Sequence, residues 1–256
     1  MENSLVKSDG SHGLSANSLK MIAALAMLID HIAWCFVAKY SVLGQAMHII
    51  GRLTAPIMCF FIAEGFYYTK NVKKYLLRLG IFAVISWFPY VFMEKGTFPF
   101  YIYAGQLYLN PNQSVIYTLF LGLLTLVIIH SEKLKKPLKI PLLVIVIALS
   151  FFGDWPIFAV VWIVIFDAFR GNFRRQAEFF AVSSVIILIL YYGIMQKAPI
   201  IEYFFQFGVL LALVPLYFYN GKRGKDGKKN WQFGKWFFYV FYPLHMLVLG
   251  ILRNVF

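Results

Sequence analysis

Cysteines and charged residues are scarce in this sequence, and each scarcity excludes a class of protein. Only two cysteines, Cys35 and Cys59, occur among 256 residues, both in apolar surroundings, so neither a disulfide framework nor a cysteine-ligated metal site is expected. Charged residues make up 14% of the chain and hydrophobic residues 61%, whereas soluble domains have about 25% and about 45 to 50%. With a mean hydropathy of +0.70, the chain is predicted to be an integral membrane protein.

Long continuous apolar runs set the predicted fold class. A run of about 17 to 25 apolar residues forms a helix that crosses a hydrocarbon core of ~30 Å, and alternating barrel strands would not give such runs. We predict an all-α bundle of nine transmembrane helices, within a range of eight to ten, in one domain at residues 19–256 after a segment at 1–18. The runs are residues 19–37, 53–69, 75–93, 113–130, 138–153, 156–170, 177–195, 201–219 and 236–255. The short fifth and sixth runs are equally compatible with a tight helical hairpin.

The net charge of +13 is explained by its distribution among the loops. Every second loop is basic, which places these loops and the N-terminus in the cytoplasm. A membrane surface therefore accounts for the charge, and no nucleic-acid partner is predicted. The basic loops contain Lys70, Lys73, Lys74, Arg78, Lys133, Lys135, Lys136, Lys139, Arg170, Arg174, Arg175, Lys222, Arg223, Lys225, Lys228, Lys229 and Lys235, which leaves Lys39, Arg52, Lys95, Lys197 and Arg253 outside.

Four ionisable residues lie inside predicted membrane helices, where a lipid-facing charge would cost about 2.5 to 3.5 kcal/mol or more. They are Asp30 and His31 in the first run, Glu64 in the second and His245 in the last. Counting 1.5 Å per residue from the predicted membrane faces places His31, Glu64 and His245 roughly 14 to 16 Å deep. We therefore expect these groups to share a cavity near the membrane midplane and to be the catalytic residues.

Helical spacing indicates which residues share a helix face with His31. Lys20 lies eleven residues before His31, close to three full turns, so both residues share a helix face. Asp30 points about 100° away from His31, because adjacent helical residues do not face each other. The partner of Asp30 is therefore expected on another helix, with Arg52 as the candidate.

An imidazole in a dry site is suited to removing a proton from an attacking hydroxyl or amine, which favours group transfer. The sequence lacks the G-x-S-x-G, H-E-x-x-H and phosphate-loop motifs of competing chemistries. A proton-coupled transporter that uses the four residues as a relay is an alternative, although no inverted repeat is visible. A noncatalytic assembly factor is a further alternative.

Several blocks, spread in order over nearly the whole chain, resemble the TraX family of membrane proteins. The first block, LKMIAALAMLIDHI at residues 19–32, contains Lys20, Asp30 and His31. The others are GRLTAP at 51–56, FFIAEGF at 60–66, TKN at 69–71, YLLRL at 75–79, YTLFLGL at 117–123, YNGKRG at 219–224 and FYPLH at 241–245.

The resemblance implies an acyltransferase in the bacterial plasma (inner) membrane. TraX is associated with acetylation of the N-terminal amine of conjugative pilin, and the family resembles membrane acyltransferases in which a basic residue precedes a first-helix histidine by about eleven positions. Acetyl-CoA would be the acyl donor and a pilin, peptide or surface glycan the acceptor, with no metal. By this resemblance His31 is the base, with Asp30, His245 and Glu64 beside it. Lys20, Arg52, Arg78, Lys222 and Arg223 would contact the donor, whereas Asp154 departs from the family pattern in its surroundings.

Overall fold

A computed structural model describes residues 13–197, 199–224 and 231–255 of the chain. Residues 1–12 of the predicted N-terminal segment, and Lys225, Lys228 and Lys229 of the most basic loop, lie outside the described residues. The first helix begins at Ala16, where the side chain of Ser15 accepts a hydrogen bond from the backbone N–H of Ser18 at 3.1 Å. Such a cap satisfies one of the free N–H groups of the first turn.

The described chain is almost entirely helical, and each predicted apolar run is helical over most of its length. The α-helices are α1 (Ala16–Phe36), α2 (Val42–Gly51), α3 (Thr54–Tyr68), α4 (Val72–Lys95), α5 (Val115–His130), α6 (Lys136–Ser150), α7 (Phe158–Ala168), α8 (Phe173–Leu188), α9 (Ile200–Tyr203), α10 (Leu213–Tyr217) and α11 (Trp231–Val255). A π-helix, Ile189–Met195, continues α8, and a 3-10 helix, Phe204–Ala212, joins α9 to α10.

One element departs from the all-α expectation. Strands β1 (Phe100–Tyr103) and β2 (Gln106–Leu109) form an antiparallel hairpin after α4. Its two-residue turn has positive φ angles at Ala104 (49°) and Gly105 (76°), which is the turn geometry that matches the twist of a hairpin.

Length and composition mark this bundle as an integral membrane protein. Within the described residues, five helical segments are long and apolar enough to cross a membrane: Ala16–Phe36, Val42–Tyr68, Val72–Lys95, Phe173–Met195 and Trp236–Val255. Shorter apolar helices cover Val115–His130, Phe158–Ala168 and Phe204–Tyr217. Large apolar side chains such as Leu25, Val84 and Val182 are exposed on the bundle surface, as a lipid-facing surface requires. The number of nine crossings stays a prediction.

The second span begins earlier than the sequence predicts. It runs from Val42 through α2 and α3 to Tyr68, with a break at Arg52 and Leu53. Pro56, which lacks a backbone N–H, occupies the first turn of α3, a position where no helical hydrogen bond is lost. Arg52 therefore lies within a candidate span, about 15 Å along the helices from Val42, and not just before the start of the span as in the sequence analysis.

Helix α3 occupies the centre of the bundle, in contact with α1, α5, α7 and the 3-10 helix. Its neighbours α7 and α8 contribute the largest fully buried side chains, among them Trp162, Phe166 and Phe180. On the other side α1 contacts both α2 and α11. The first and last helices are thereby neighbours, which places the two predicted histidines, His31 and His245, next to each other.

Candidate active site

A hydrogen bond joins His31 on α1 to His245 on α11. The Nδ1 of His31 lies 2.7 Å from the Nε2 of His245, and the two buried rings are parallel to within 3°. The Nδ1 of His245 lies 2.8 Å from the carbonyl oxygen of Phe241. The structure thus brings these two histidines together, but of the pair only His31 borders the cavity described below, so the expectation that both share that cavity was wrong for His245.

This hydrogen-bond chain determines the tautomer of both rings. A carbonyl oxygen only accepts, so the Nδ1 of His245 must donate to Phe241, and in a neutral ring its Nε2 is then an acceptor. His31 must therefore donate through its Nδ1, which leaves the Nε2 of His31 without a proton. The protons are assigned here from the hydrogen-bond network. The arrangement holds His31 as a base with one free lone pair.

Asp30 belongs to a separate, buried network. Its carboxylate accepts a hydrogen bond from the Nδ1 of His48 at 2.8 Å and forms a salt bridge with Arg52. Arg52 also donates to Gln206 at 3.0 Å, and Gln206 donates to the hydroxyl of Tyr192 at 2.8 Å. Arg52 is the partner that the sequence analysis named for Asp30, and Asp30 and His31 do bond to different helices. This network neutralises the buried carboxylate, as buried charges require.

A cavity of about 470 Å³ lies beside both networks. Its wall includes His31, Asp30 and Arg52. At its other side the cavity is bordered by Glu94 at the end of α4 and by Asp154 in the turn between α6 and α7. We call this side of the bundle the cavity end, and the charge distribution of the loops predicts that it faces outward.

Asp154 is set into the cavity wall by its backbone. Its N–H donates to the carbonyl of Gln113 at 2.8 Å, and its own carbonyl accepts from the hydroxyl of Thr118. Burial raises the pKa of the Asp154 carboxyl to about 6, an effect that Arg52 opposes and that the Asp30 and Glu94 carboxylates reinforce. A carboxyl with this pKa exchanges its proton near neutral pH.

The opposite end of the bundle, which we call the basic end, contains most of the predicted donor contacts. The backbone carbonyls of Lys222 and Arg223 accept hydrogen bonds from the N–H groups of Ala16 and Asn17 at 2.9 and 3.1 Å, so they cap the start of α1. Lys20 follows one turn later, 5.0 Å from the ring centre of Phe61. Lys20, Lys222 and Arg223 are therefore brought to the same end of α1.

The two remaining predicted donor contacts lie elsewhere. Arg78 lies between the rings of Tyr75 and Tyr239, 5.3 and 5.2 Å from their centres. Arg52 lies at the cavity, paired with Asp30. The structure therefore separates Arg52 from the basic loops with which the sequence analysis grouped it.

Glu64 is not in the site where the sequence analysis placed it. It forms a salt bridge with Arg170 at 2.8 Å, four residues before α3 ends at Tyr68, and it does not border the cavity. The depth estimate counted from residue 53, whereas the candidate span starts at Val42. Glu64 is about 33 Å along the helices from Val42, so a count from the start of this span does not place Glu64 halfway along it.

Sequence reasoning missed His48, the second partner of Asp30. His48 is completely buried against Trp34 and Phe205, with ring centres 4.4 and 5.1 Å away. Residues 42–51 are too short an apolar run to be recognised as a span, so α2 was not predicted. The available signal was Ser41, whose side chain caps α2 by accepting from the N–H of Gly44 at 3.0 Å.

Fold and site together define a polytopic helical membrane protein with a buried histidine pair beside a polar cavity. The chain matches the family described as TraX protein over residues 15–253. It therefore belongs to the TraX family, as its sequence blocks predicted.

A curated relative covers almost the same length. The chain is 31% identical over 246 residues to a protein of Dichelobacter nodosus named probable fimbrial assembly protein FimC, serogroup H1. The alignment covers 92% of this chain and 94% of that protein. No solved structure matches the chain significantly.

Proposed function

We propose that this chain is a membrane-embedded acyltransferase that moves an acetyl or short acyl group from acyl-CoA to an amine or hydroxyl acceptor. The observation that carries the proposal is the histidine pair. The Nδ1 of His31 donates a hydrogen bond to the Nε2 of His245, 2.7 Å away. The Nε2 of His31, a residue of the cavity wall, is therefore left as a base. General base catalysis by a positioned histidine contributes about 10²- to 10⁴-fold to a rate.

The proposed reaction uses this base twice. The acceptor nitrogen or oxygen bonds to the thioester carbonyl carbon while its proton passes to the Nε2 of His31. The carbon–sulfur bond then breaks, and the leaving sulfur takes that proton from the His31 imidazolium. The products are the acylated acceptor and free CoA thiol, and His31 returns to its starting state.

The basic end supplies the proposed donor site. CoA carries phosphates, and Lys20, Lys222 and Arg223 lie together at the start of α1, where cations attract such groups. Arg78 is a further candidate on α4. Eleven residues of helix separate Lys20 from His31, so the donor has to extend roughly 16 Å to bring its thioester to the base.

The acceptor that we favour is a pilin or peptide N-terminus. Membership in the TraX family supports this choice, and so does the name of the Dichelobacter relative, a probable fimbrial assembly protein. A surface glycan hydroxyl is the second acceptor class. The bacterial plasma membrane is the proposed location, with the donor arriving from the cytoplasm and the acceptor from outside.

Purified protein incubated with acetyl-CoA labelled in the acetyl group, together with a peptide bearing a free N-terminus, tests the proposal. We expect labelled peptide and an equal amount of free CoA thiol, and both should be lost in His31→Ala. Lys20→Ala should raise the KM for acetyl-CoA, while Lys20→Arg should retain most of the donor affinity.

His130→Ala is the matched control, because His130, like His31, forms a side-chain hydrogen bond, here with Asp167 at 2.8 Å, but it does not border the cavity. It should leave transfer unchanged. Absence of label transfer and of thiol release with every acceptor would contradict the proposal. Uptake of a solute coupled to a proton gradient, lost in Asp30→Asn, would instead support the transporter alternative.

A further inference from the structure

The cavity wall contains a carboxylate that the proposed reaction does not use. Four carboxylate residues border the cavity, namely Asp30, Glu94, Asp154 and Glu202. Asp30 is neutralised by Arg52, and Glu94 lies 3.1 Å from the ammonium group of Lys95. Glu202 lies on the short helix α9 and forms no salt bridge with a described residue. Asp154 forms no salt bridge with any described residue. Arg52 acts on Asp154 only from a distance, because its guanidinium group forms its salt bridge with Asp30. A carboxylate in a partly buried wall is costly unless it is paired, so the natural complement of Asp154 is a positive charge brought by a ligand.

The turn that carries Asp154 is rigid and strained. Its two neighbours Trp155 and Ile157 have φ angles of +62° and +58°, a conformation that a β-branched residue such as isoleucine rarely adopts. Pro156 separates them, and the hydrogen bonds of Asp154 to Gln113 and Thr118 fix the turn against α5. The fold maintains this conformation at a cost of about 1 to 3 kcal/mol per strained residue.

Aromatic rings surround the same part of the cavity. Trp155, Tyr90, Tyr192 and Tyr203 all contribute to its wall. Aromatic faces attract ammonium groups through their ring quadrupoles, an attraction that a neutral hydroxyl lacks. An unpaired carboxylate among aromatic rings is the chemistry that recognises a primary ammonium group.

We propose that Asp154 is the residue that binds the acceptor, by pairing with the ammonium group of a chain N-terminus or other primary amine in the cavity. The inference rests on the proposed function, because His31 borders the same cavity. His31 would take a proton from the amine when the amine attacks the thioester. The ammonium group first gives one proton to water, and the neutral amine then reacts with the thioester as described for the general acceptor. Asp154 thereby selects amines over the hydroxyl groups of a glycan.

Equilibrium binding tests this assignment without any turnover. The probes are a neutral hexapeptide amide of glycine and alanine with a free N-terminus and the same peptide with its N-terminus acetylated, each titrated against the full-length protein in detergent at pH 7. The wild type should bind the free-amine peptide at least about tenfold more tightly than the acetylated one. Equal binding of the two peptides by the wild type would overturn the proposal, whatever the variants do.

Variants then assign the preference to Asp154. Asp154→Asn should abolish the preference for the free amine, and Asp154→Glu should retain part of it. Glu132→Gln removes the same charge from an exposed loop position outside the cavity and should change nothing. A preference that persists in Asp154→Asn would overturn the assignment. In acetyl transfer, Asp154→Asn should raise the KM for the peptide with little change in the KM for acetyl-CoA.

The outcomes separate this inference from the proposed function. A wild type that binds the free-amine peptide through Asp154 but transfers no acetyl group contradicts the acyltransferase proposal alone. A wild type that transfers acetyl groups with the same KM in Asp154→Asn contradicts the role of Asp154 alone.

Discussion

The Nδ1 of His31 and the Nε2 of His245 lie 2.7 Å apart, although 214 residues separate them in the chain. The contact exists because α1 and α11, the first and last helices described, are neighbours in the bundle. Since the Nδ1 of His245 donates to the carbonyl of Phe241, proton transfer along this pair ends at a group that cannot accept a proton. A proton cannot pass beyond His245, so in the proposed reaction we expect His245 to position the His31 ring.

Replacing His245 should weaken acetyl transfer by misplacing the His31 ring. In His245→Ala we expect kcat to fall by up to about 100-fold, with the KM for acetyl-CoA unchanged. His245→Gln should retain more activity, because its side-chain carbonyl can accept from the Nδ1 of His31. The ¹⁵N chemical shifts of His31 should show a pure Nδ1–H tautomer in the wild type and a mixture in His245→Ala. A normal kcat in His245→Ala, or a mixture in the wild type, would refute this role.

Breaking the Asp30–Arg52 pair should destabilise the bundle strongly. Removal of one partner leaves a buried charge uncompensated, at a cost of about 3 to 5 kcal/mol, so Asp30→Asn and Arg52→Gln should each lower the Tm. The double variant should lose less than the sum of the single losses, because no lone charge remains. Thermal unfolding in detergent measures all three proteins.

An exposed ion pair supplies the control for this prediction. The side chains of Arg174 and Glu178 are 84% and 53% exposed, so their pair is worth only about 0.3 to 0.5 kcal/mol. Glu178→Gln should therefore leave the Tm almost unchanged. Additive losses in the Asp30 and Arg52 variants would mean that the salt bridge contributes no coupling energy.

Sequence reasoning was most successful for features that depend on one helix alone. Apolar runs located the helices, and helical geometry predicted that Asp30 and His31 face different partners. It failed at the α2–α3 junction, because the break at Arg52 divides one span into two segments that are individually short. That break hid α2 and with it His48, and the predicted run that began at residue 53 was the basis for placing Arg52 and Glu64.

The acceptor side of the site was the least predictable part. The role of Asp154 depends on which carboxylates already have cations, and that is a property of packing between helices. The sequence analysis could name Arg52 as the partner of Asp30, but no spacing in the sequence reveals that Asp154 has no salt bridge within the described chain. The strained turn at Trp155 and Ile157 is likewise invisible in a sequence whose only local cue is Pro156.

Gly51 is expected to be irreplaceable at the contact between α1 and α2. A Cβ at this position would lie 2.2 Å from the Cβ of Asp30, so Gly51→Ala must push the helices apart, at a cost of about 1 to 3 kcal/mol. Gly193→Ala is the control, because its Cβ would meet only the Tyr203 hydroxyl, at an ordinary 3.5 Å. We expect a lower Tm and weaker acetyl transfer in Gly51→Ala alone. Equal Tm values for the two variants would show that the α1–α2 contact is looser than described.

At high pH, Asp154→Asn should be more stable than the wild type. The Asp154 carboxylate, which is proposed to bind the acceptor, destabilises the folded protein when no acceptor is bound. Burial raises the pKa of Asp154 from its ordinary 3.8 to about 6 in the folded protein, so folding favours the protonated form. The contribution of the protonated Asp154 to the stability of the wild type is fully present below pH 3.8 and is lost as the pH rises through 6. The loss is at most about 3 kcal/mol for two pKa units. Thermal unfolding without acceptor should therefore give Asp154→Asn the higher Tm at pH 8, with the difference vanishing near pH 4. Glu132→Gln should show no such pH dependence, and a lower Tm of Asp154→Asn at pH 8 would mean that the carboxylate already has a favourable partner within the protein.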